Sequence, residues 1–328
     1  MKIRSKTRLA VATGALAFGL AAAQPAHSFI FGWFFGGGSS NDEQEEDAGP
    51  GYTETEHPIV LVHGLSGFDS MFGLVRYFSS IPRTLERDGA VVYTPQVSAS
   101  NSNEVRGEQL LEQIEEIIAT TDAEKVNIIG HSQGSPTARY VAGVAPELVA
   151  SVTGVGGVNW GTRVADNAQG GLVGGTLSVA GNVLFTLLDL GSFGGLPQNT
   201  ARAIESLSTE GSIAFNEEFP AGIPSEYCAA DGEPVVDGIR YYSWGGDRVF
   251  TNALDPSSSV LYTTSTGINE PNDGLVPVCS MQLGEIIGLD FRLNHLDQVN
   301  QVGGLTAWGI NPKDIYRQHA NRLQNEGL

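Results

Sequence analysis

The sequence predicts an α/β fold in which a mostly parallel central sheet carries helices on both faces. Residues 59–62, 126–129 and 149–155 are short apolar runs with the composition of buried strands. Between them, residues 104–120 place one apolar stripe opposite a row of glutamates, which is typical of a helix packed on a core. Because strands alternate with helices at short intervals, we expect the strands to run parallel.

Length and charge limit the classes of function. The chain has 328 residues, 41% of them hydrophobic, which is enough for a large core. Its formal net charge of −19 argues against nucleic acid or an anionic membrane as a partner.

The first 56 residues are predicted to lie outside the folded domain. Residues 1–28 combine a basic start, an apolar stretch and small residues at Ala26 and Ser28, the pattern of a cleaved signal peptide. Residues 29–56 are first aromatic and then acidic and Gly-rich, which predicts a flexible extension. We therefore expect an exported protein whose domain spans residues 57–328.

Two cysteines, Cys228 and Cys279, are present in this chain. An even number of cysteines in an oxidising compartment favours one disulfide, and two unpaired buried thiols are the alternative.

The main functional pattern follows the apolar run 126–129. Residues 130–134 read GHSQG, a G-x-S-x-G pattern that leads into a segment with helical character. Such a turn lifts its serine above the sheet, and the helix N-terminus favours developing negative charge. We interpret Ser132 as a nucleophile, with a turn that performs no chemistry as the alternative.

A serine nucleophile needs a histidine base, which in turn needs a carboxylate. In folds with this turn the acid and the histidine follow the serine in that order. His295 and His319 are the histidines after Ser132. His319 lies in a polar terminal segment, residues 312–328, where we expect an exposed side chain, so His295 is the predicted base.

The acid is less closely determined by chain order. The candidates are Asp166, Asp189, Asp231, Asp237, Asp247, Asp255, Asp273 and Asp290. Asp273 is favoured because residues 272–276, NDGLV, place it at a turn beside an apolar run. A turn aspartate without a catalytic role is the alternative.

Residues 157–198 interrupt the alternation of strands and helices. Residues 171–188 carry no charge and are rich in Gly, Leu and Val. We predict an apolar lid over a binding cleft within about residues 160–200, with a core helix as the alternative. A transmembrane helix is disfavoured by the glycines and the polar flanks.

Several motifs, in the same order, resemble the secreted bacterial true lipases typified by Pseudomonas and Burkholderia. They are residues 63–69 (HGLSGFD), 104–110 (EVRGEQL), 130–134 (GHSQG), 272–276 (NDGLV), 294–297 (NHLD) and 316–321 (YRQHAN). The resemblance implies an α/β-hydrolase fold with a helical lid and a triacylglycerol lipase activity. The chain departs from this family at Ser135, where a glycine is common. It departs again at residues 157–161 (GVNWG), where the family commonly has a Pro-His-Arg/Lys-Gly turn.

The resemblance also implies roles for individual residues. These are Ser132 as nucleophile, Asp273 as acid, His295 as base, the backbone N–H groups of Leu65 and Gln133 as oxyanion hole, and a Cys228–Cys279 disulfide. It further implies one structural Ca²⁺, bound by the carboxylates of Asp255 and Asp297 and the backbone carbonyls of Gln301 and Leu305. Because Asp297 follows His295 by two residues, such an ion would hold the loop of the base.

The implied partners are an acylglycerol at a lipid–water interface, a membrane-anchored lipase-specific foldase and the type II secretion machinery. The implied location is extracellular, reached through the periplasm of a Gram-negative bacterium. A carboxylesterase for soluble short-chain esters is the alternative enzyme. A non-catalytic surface or adhesion protein on the same scaffold is the alternative from another class.

Overall fold

The computed structural model of the chain describes residues 51–65, 70–71, 75–174 and 196–328. The strands are β1 Ile59–Val62, β2 Ser70–Met71, β3 Val75–Arg76, β4 Val92–Tyr93, β5 Val126–His131, β6 Val149–Val155, β7 Val235–Val236, β8 Ile239–Gly246 and β9 Glu285–Phe291. The helices are α1 Ile81–Arg87, α2 Asn103–Thr120, α3 Gly134–Val144, α4 Arg163–Gly174, α5 Thr200–Leu207, α6 Thr209–Glu218, α7 Pro256–Ser265 and α8 Pro312–Asn325. The predicted signal peptide, the aromatic and most of the acidic part of the extension, and most of the predicted lid lie outside the described residues.

One mostly parallel sheet forms the centre of the domain. Its order is β4-β1-β5-β6-β8, with β9 parallel and β7 antiparallel to β8, while β2 and β3 pair separately. Val62 is aligned with Gly130, and Gly130 with Gly154, so the carboxyl ends of three strands meet at one edge. Ligands of parallel sheets bind at this edge. The predicted mostly parallel sheet is confirmed.

Helices cover both faces of the sheet because its central strands are apolar on both sides. Val60 and Val62 pack with residues of α2 and α3 in one core cluster. Ile59 and Leu61 face the other way and pack with residues of α1 and α8. Since successive side chains of a strand point to opposite faces, β1 alone contributes to both cores.

Local signals fix where the two longest helices begin. Ser102 precedes α2, and its hydroxyl accepts a hydrogen bond from the N–H of Val105. Asn311 precedes α8 in the same way, and Pro312 occupies the first helical position. The predicted helix over residues 104–120 is confirmed by α2.

The predicted flexible extension ends earlier than the sequence indicates. Thr53 is fully buried, and its hydroxyl donates to the carbonyl of Leu85 at 2.7 Å. The backbone N–H of Gly51 donates to the carbonyl of Asp88 at 3.0 Å. Residues 51–56 therefore belong to the domain, and the predicted boundary at residue 57 is wrong. Their acidic, polar composition conceals the hydrogen bonds that attach them.

The expectation of an exposed His319 is also wrong. His319 is fully buried on the face of α8 that also buries Ile315 and Leu323. Its Nε2 lies 2.7 Å from Thr153 Oγ1 of β6. Burial lowers the pKa of the His319 imidazole to about 3, with the charge of Arg322 adding to the effect. His319 is thus a neutral core residue.

A disulfide joins Cys228 to Cys279, with 4.8 Å between their Cα atoms. This confirms the predicted pairing and attaches the loop after α6 to the 3₁₀ turn Val278–Met281.

None of the described helices combines the length and the hydropathy needed to cross a membrane.

Candidate active site

The turn around Ser132 has the geometry of a nucleophile elbow. β5 ends at His131, α3 begins at Gly134, and Ser132 between them has a φ of 58°. A residue with a Cβ rarely adopts a positive φ, and such strain is typical of the serine in a G-x-S-x-G turn. A Cβ on Gly130 would lie 2.2 Å from the carbonyl oxygen of Gly134, and one on Gly134 would lie 2.3 Å from that of Val62. Both glycines are therefore required for the turn.

The backbone of Ser132 is fixed by its neighbours in the sheet and loop. Its N–H donates to the carbonyl of Val155 at 2.9 Å, and its carbonyl accepts from the N–H groups of Ser135 and Val158. The side chain is 7% exposed. The predicted nucleophile thus sits in a rigid position, largely shielded from water.

Ser135 and Asn159, which lie in the two departures from the lipase pattern, contact each other directly. The hydroxyl of Ser135 donates to Asn159 Oδ1 at 2.9 Å, and both residues are fully buried. Asn216 of α6 in turn donates to the backbone carbonyl of Asn159 at 2.8 Å. The two residues at which the chain departs from the lipase pattern are therefore joined by a buried hydrogen bond next to the elbow.

The predicted base and acid are hydrogen-bonded to each other. His295 Nδ1 lies 2.6 Å from Asp273 Oδ2, and both side chains are buried. The N–H of His295 also donates to the carbonyl of Asp273 at 2.9 Å. Because an ionised carboxylate only accepts hydrogen bonds, Nδ1 carries the proton and Nε2 is left able to accept one.

Further N–H groups orient the Asp273 carboxylate. Its Oδ1 accepts from the backbone N–H groups of Leu275 at 3.0 Å and Val276 at 2.8 Å. Its Oδ2 accepts from Gln298 Nε2 at 2.8 Å. The sequence reasoning missed Gln298, although it follows His295 by three residues, and that spacing brings side chains to one side of a single helical turn.

His131 connects Ser132 to the base. Its ring centroid lies 4.5 Å from that of His295, and its backbone is bonded to that of Ser132. In the described part of the chain, Ser132 Oγ makes no hydrogen bond with His295. His295 is therefore hydrogen-bonded directly to Asp273. Ser132 is connected to this pair through His131, which precedes it in sequence and packs on His295.

The segments predicted to form the oxyanion hole meet at Ser132. A Cβ on Gly64 would lie 2.6 Å from the Cβ of Ser132, so the loop that carries Leu65 passes against the serine. Gln133 is the N-cap of α3, where the first N–H groups have no partner within the helix. Both segments can thus direct N–H groups at negative charge beside Ser132.

Arg106 supports the loop after β1 through hydrogen bonds of its guanidinium. It is fully buried, and its guanidinium donates to the carbonyl of His63 at 2.5 Å, to Thr137 Oγ1 at 3.2 Å and to the carbonyl of Ser98. Burial lowers the pKa of Arg106 to about 9, which still leaves it charged at neutral pH. This residue belongs to the EVRGEQL motif, for which the sequence offers no specific role.

The residues predicted to bind calcium form a second cluster behind the base. Asp255 and Asp297 are both 2% exposed and meet at Asn294. The N–H of Asn294 donates to Asp297 Oδ2 at 3.2 Å, and its Nδ2 donates to Asp255 Oδ2 at 3.4 Å. Gln301 and Leu305 lie in the turns that follow, where their N–H groups bond to backbone carbonyls nearby.

The charges of this cluster are not balanced by basic side chains. No ion pair found among the described residues includes Asp255 or Asp297. Burial raises the pKa of Asp297 to about 6, and the charge of Asp255 adds to the rise. Two carboxylates beside neutral oxygens are the donor set that a hard divalent cation prefers.

Comparison with known proteins identifies the family of the chain. Residues 57–174 match the family model of the alpha/beta hydrolase fold. A triacylglycerol lipase of Vibrio cholerae is 50% identical over 285 residues, which cover 85% of this chain and 91% of the relative. A triacylglycerol lipase of Pseudomonas fragi is 42% identical over 289 residues, covering 84% of this chain and 98% of the relative.

Solved structures support the fold. Staphylococcus hyicus lipase has a TM-score of 0.56 at 16% identity, with 85% of this chain and 98% of that chain covered. At such low identity this match shows the fold alone. The family is identified by the relatives in sequence, which are 50% and 42% identical over most of both chains. The chain therefore belongs to the triacylglycerol lipase family of α/β hydrolases and is an ester hydrolase.

Proposed function

We propose that the chain hydrolyses the ester bonds of triacylglycerols through an acyl-enzyme formed on Ser132. The observation that carries the proposal is the buried His295–Asp273 pair next to a strained serine elbow. The relatives named triacylglycerol lipase at 50% and 42% identity support the choice of substrate.

The proposed mechanism follows from the hydrogen bonds of the site. His295 Nε2 takes the proton of Ser132 Oγ while the oxygen attacks the ester carbonyl, and Asp273 stabilises the imidazolium through Nδ1. The N–H groups of Leu65 and Gln133 stabilise the oxyanion of the tetrahedral intermediate. His295 then protonates the leaving alcohol, and a water activated by the same histidine hydrolyses the acyl-enzyme.

A Ser132→Ala variant tests the proposal. We expect it to lose hydrolysis of emulsified triolein and labelling by a fluorophosphonate, while its thermal unfolding stays close to that of the wild type. Ser151→Ala, which removes a buried hydroxyl from β6 outside the elbow, is the matched control and should keep both activities. Labelling that persists in Ser132→Ala would exclude Ser132 as the nucleophile. An unlabelled but folded wild type would favour the non-catalytic alternative.

The length of the acyl chain separates a lipase from the alternative carboxylesterase. A lipase should turn over oleate esters at least as fast as butyrate esters, and faster once the substrate forms an emulsion. Faster turnover of soluble butyrate esters without a gain at the interface would favour the carboxylesterase. The predicted lid supports the lipase, because an apolar lid over the cleft would open at such an interface.

We also propose that Asp255 and Asp297, with the backbone carbonyls of Gln301 and Leu305, bind one structural Ca²⁺. The buried carboxylates without a basic partner support this donor set. The ion would neutralise the two acids and hold the loop that carries His295. It has no part in the chemical steps.

Export is the remaining part of the proposal. We propose that residues 1–28 direct the chain across the inner membrane and that a lipase-specific foldase and type II secretion machinery complete its release. The basic and apolar start of the sequence and the disulfide, which forms in oxidising compartments, support export. Periplasmic expression with and without such a foldase tests the dependence, by the yield of soluble active enzyme.

A further inference from the structure

A buried tyrosine links the oxyanion loop to the elbow. The N–H of Gly64 donates to the hydroxyl oxygen of Tyr77 at 2.9 Å, and this oxygen lies 2.6 Å from His131 Nδ1. Tyr77 is 6% exposed and His131 is fully buried. In sequence, Tyr77 is 13 residues from Gly64 and 54 residues from His131. Its hydroxyl therefore joins the loop before Leu65 to the residue before Ser132.

The other ring nitrogen of His131 extends the connection to the base. His131 Nε2 lies 3.0 Å from the backbone carbonyl oxygen of His295. A carbonyl oxygen only accepts hydrogen bonds, so Nε2 carries the proton. Burial, together with the nearby His295, holds the pKa of His131 well below its usual range, so the ring is neutral. A neutral imidazole has one donor and one acceptor, and Nδ1 must be the acceptor.

These constraints give every bond of the chain one direction. Gly64 N–H donates to the oxygen of Tyr77, Tyr77 O–H donates to His131 Nδ1, and His131 Nε2–H donates to the carbonyl of His295. Aligned hydrogen bonds in a dry interior polarise and strengthen one another. The rings also pack, with centroid distances of 5.6 Å between Tyr77 and His131 and 4.5 Å between His131 and His295.

We propose that Tyr77 and His131 are positioning residues that couple the oxyanion loop to the catalytic base. The relay holds the oxyanion loop at Gly64 at a fixed distance from the backbone of His295, whose imidazole packs on the ring of His131, and Ser132 directly follows His131 in the chain. This inference rests on the proposed roles of Ser132, His295 and Leu65. Neither Tyr77 nor His131 is assigned contact with the reacting atoms.

A double-mutant cycle tests the relay. Tyr77→Phe removes the hydroxyl, and His131→Phe keeps an aromatic ring but removes both hydrogen bonds. We expect each variant to lower kcat on a soluble ester by roughly 10-fold or more while KM changes little, because transition-state geometry suffers and ground-state binding does not. The double variant should be no slower than the slower single variant, since residues that act as one unit are not additive.

Tyr316→Phe is the matched control. Tyr316 is fully buried in the same core cluster as Tyr77, and in the described part of the chain its hydroxyl has no hydrogen-bond partner. Loss of this hydroxyl should leave kcat unchanged. A purely structural role for Tyr77 would instead lower the thermal stability and the amount of active enzyme, titrated with a fluorophosphonate, without changing kcat per labelled site.

The outcomes separate the relay from the proposed function. Additive losses in the cycle, or a wild-type kcat in Tyr77→Phe, overturn the relay. Hydrolysis that survives in Ser132→Ala overturns the proposed function instead, whatever the relay variants do. If His131→Phe fails to fold, the comparison of Tyr77→Phe with Tyr316→Phe decides the question. In that comparison Tyr77→Phe should also weaken a boronic acid inhibitor, a tetrahedral mimic, about as much as it lowers kcat.

Discussion

Gln298 Nε2 donates to Asp273 Oδ2 across 2.8 Å, the same oxygen that lies 2.6 Å from His295 Nδ1. The amide of Gln298 donates a hydrogen bond to the carboxylate of the proposed acid without adding a charge to the site. Gln298 is fully buried, and a Cβ on the neighbouring Gly156 would lie 2.4 Å from its Oε1, so the side chain has little room to move. Each hydrogen bond that the described residues make to the carboxylate of the proposed acid thus comes from an N–H donor.

Replacement of this amide should impair catalysis without unfolding the protein. Gln298→Glu places a second carboxylate against Asp273, and two adjacent carboxylates cannot both ionise readily. We expect kcat/KM at neutral pH to fall by roughly 10- to 100-fold, since a hydrogen bond to a charged group contributes about 1.5–3 kcal/mol. Gln113→Glu is the control, because the amide of Gln113 in α2 bonds to the backbone of Gln96 and Gln109 and not to the proposed triad. Equal kinetics of the two variants would show that Gln298 does not orient the acid.

If Asp255 and Asp297 bind calcium as proposed, removal of the ion should lower the thermal stability of the enzyme. An ion at about 100 times its Kd stabilises the folded state by about 2.7 kcal/mol, and we expect chelation to lower Tm by on the order of 5 °C. Differential scanning calorimetry with and without a chelator measures this shift. Asp255→Asn should have a low Tm that no longer responds to calcium. A wild-type Tm that is indifferent to chelation argues against the site.

Loss of the disulfide should destabilise the domain. The bond closes a loop of 51 residues, for which the chain-entropy model gives about 4 kcal/mol. We expect the double variant Cys228→Ser, Cys279→Ser to unfold at a lower urea concentration than the wild type. A single Cys228→Ser variant gives the same loss if the bond itself is responsible. Identical unfolding midpoints for wild type and double variant would contradict the expectation.

Acid should destabilise the fold through His319. Its pKa is lowered to about 3 in the folded chain, against about 6.5 when unfolded, so folding favours the neutral form. The stabilisation is complete above pH 6.5 and is lost as the pH falls towards 3, by about 1.4 kcal/mol for each pH unit. His319→Gln keeps a polar contact for Thr153 without a titrating ring. Its unfolding free energy should therefore fall less steeply than that of the wild type below pH 6.5, and parallel curves would contradict the burial of His319.

Local sequence signals account for most of the fold and for the proposed triad. The apolar runs at β1, β5 and β6 identify buried strands, and the turn chemistry around Ser132 and Asp273 is legible because glycine is required there. His295 is predicted as the base from its position after Ser132 and Asp273 in the chain. These features depend on residues close together in sequence.

The missed features depend on contacts between distant segments. His319 bonds to Thr153 across 166 residues, and the polar composition of α8 conceals the buried stripe on which it lies. Tyr77 meets His131 across 54 residues, next to a segment in which no pattern indicates a tyrosine with a function. Neither hydrophobic periodicity nor spacing predicts which buried polar groups meet across a sheet.

The hydrogen bond between Ser135 and Asn159 constrains how this enzyme can be engineered. If the Pro-His-Arg/Lys-Gly turn of related lipases replaced residues 157–161 alone, the buried hydroxyl of Ser135 would lose its acceptor. If Ser135 alone became glycine, Asn159 Oδ1 would lose this hydroxyl donor and keep the longer hydrogen bond from Arg139 Nη1 at 3.5 Å. A chimera that takes this turn from a related lipase should therefore keep more stability if both segments are exchanged together, because no buried hydroxyl is then left without an acceptor.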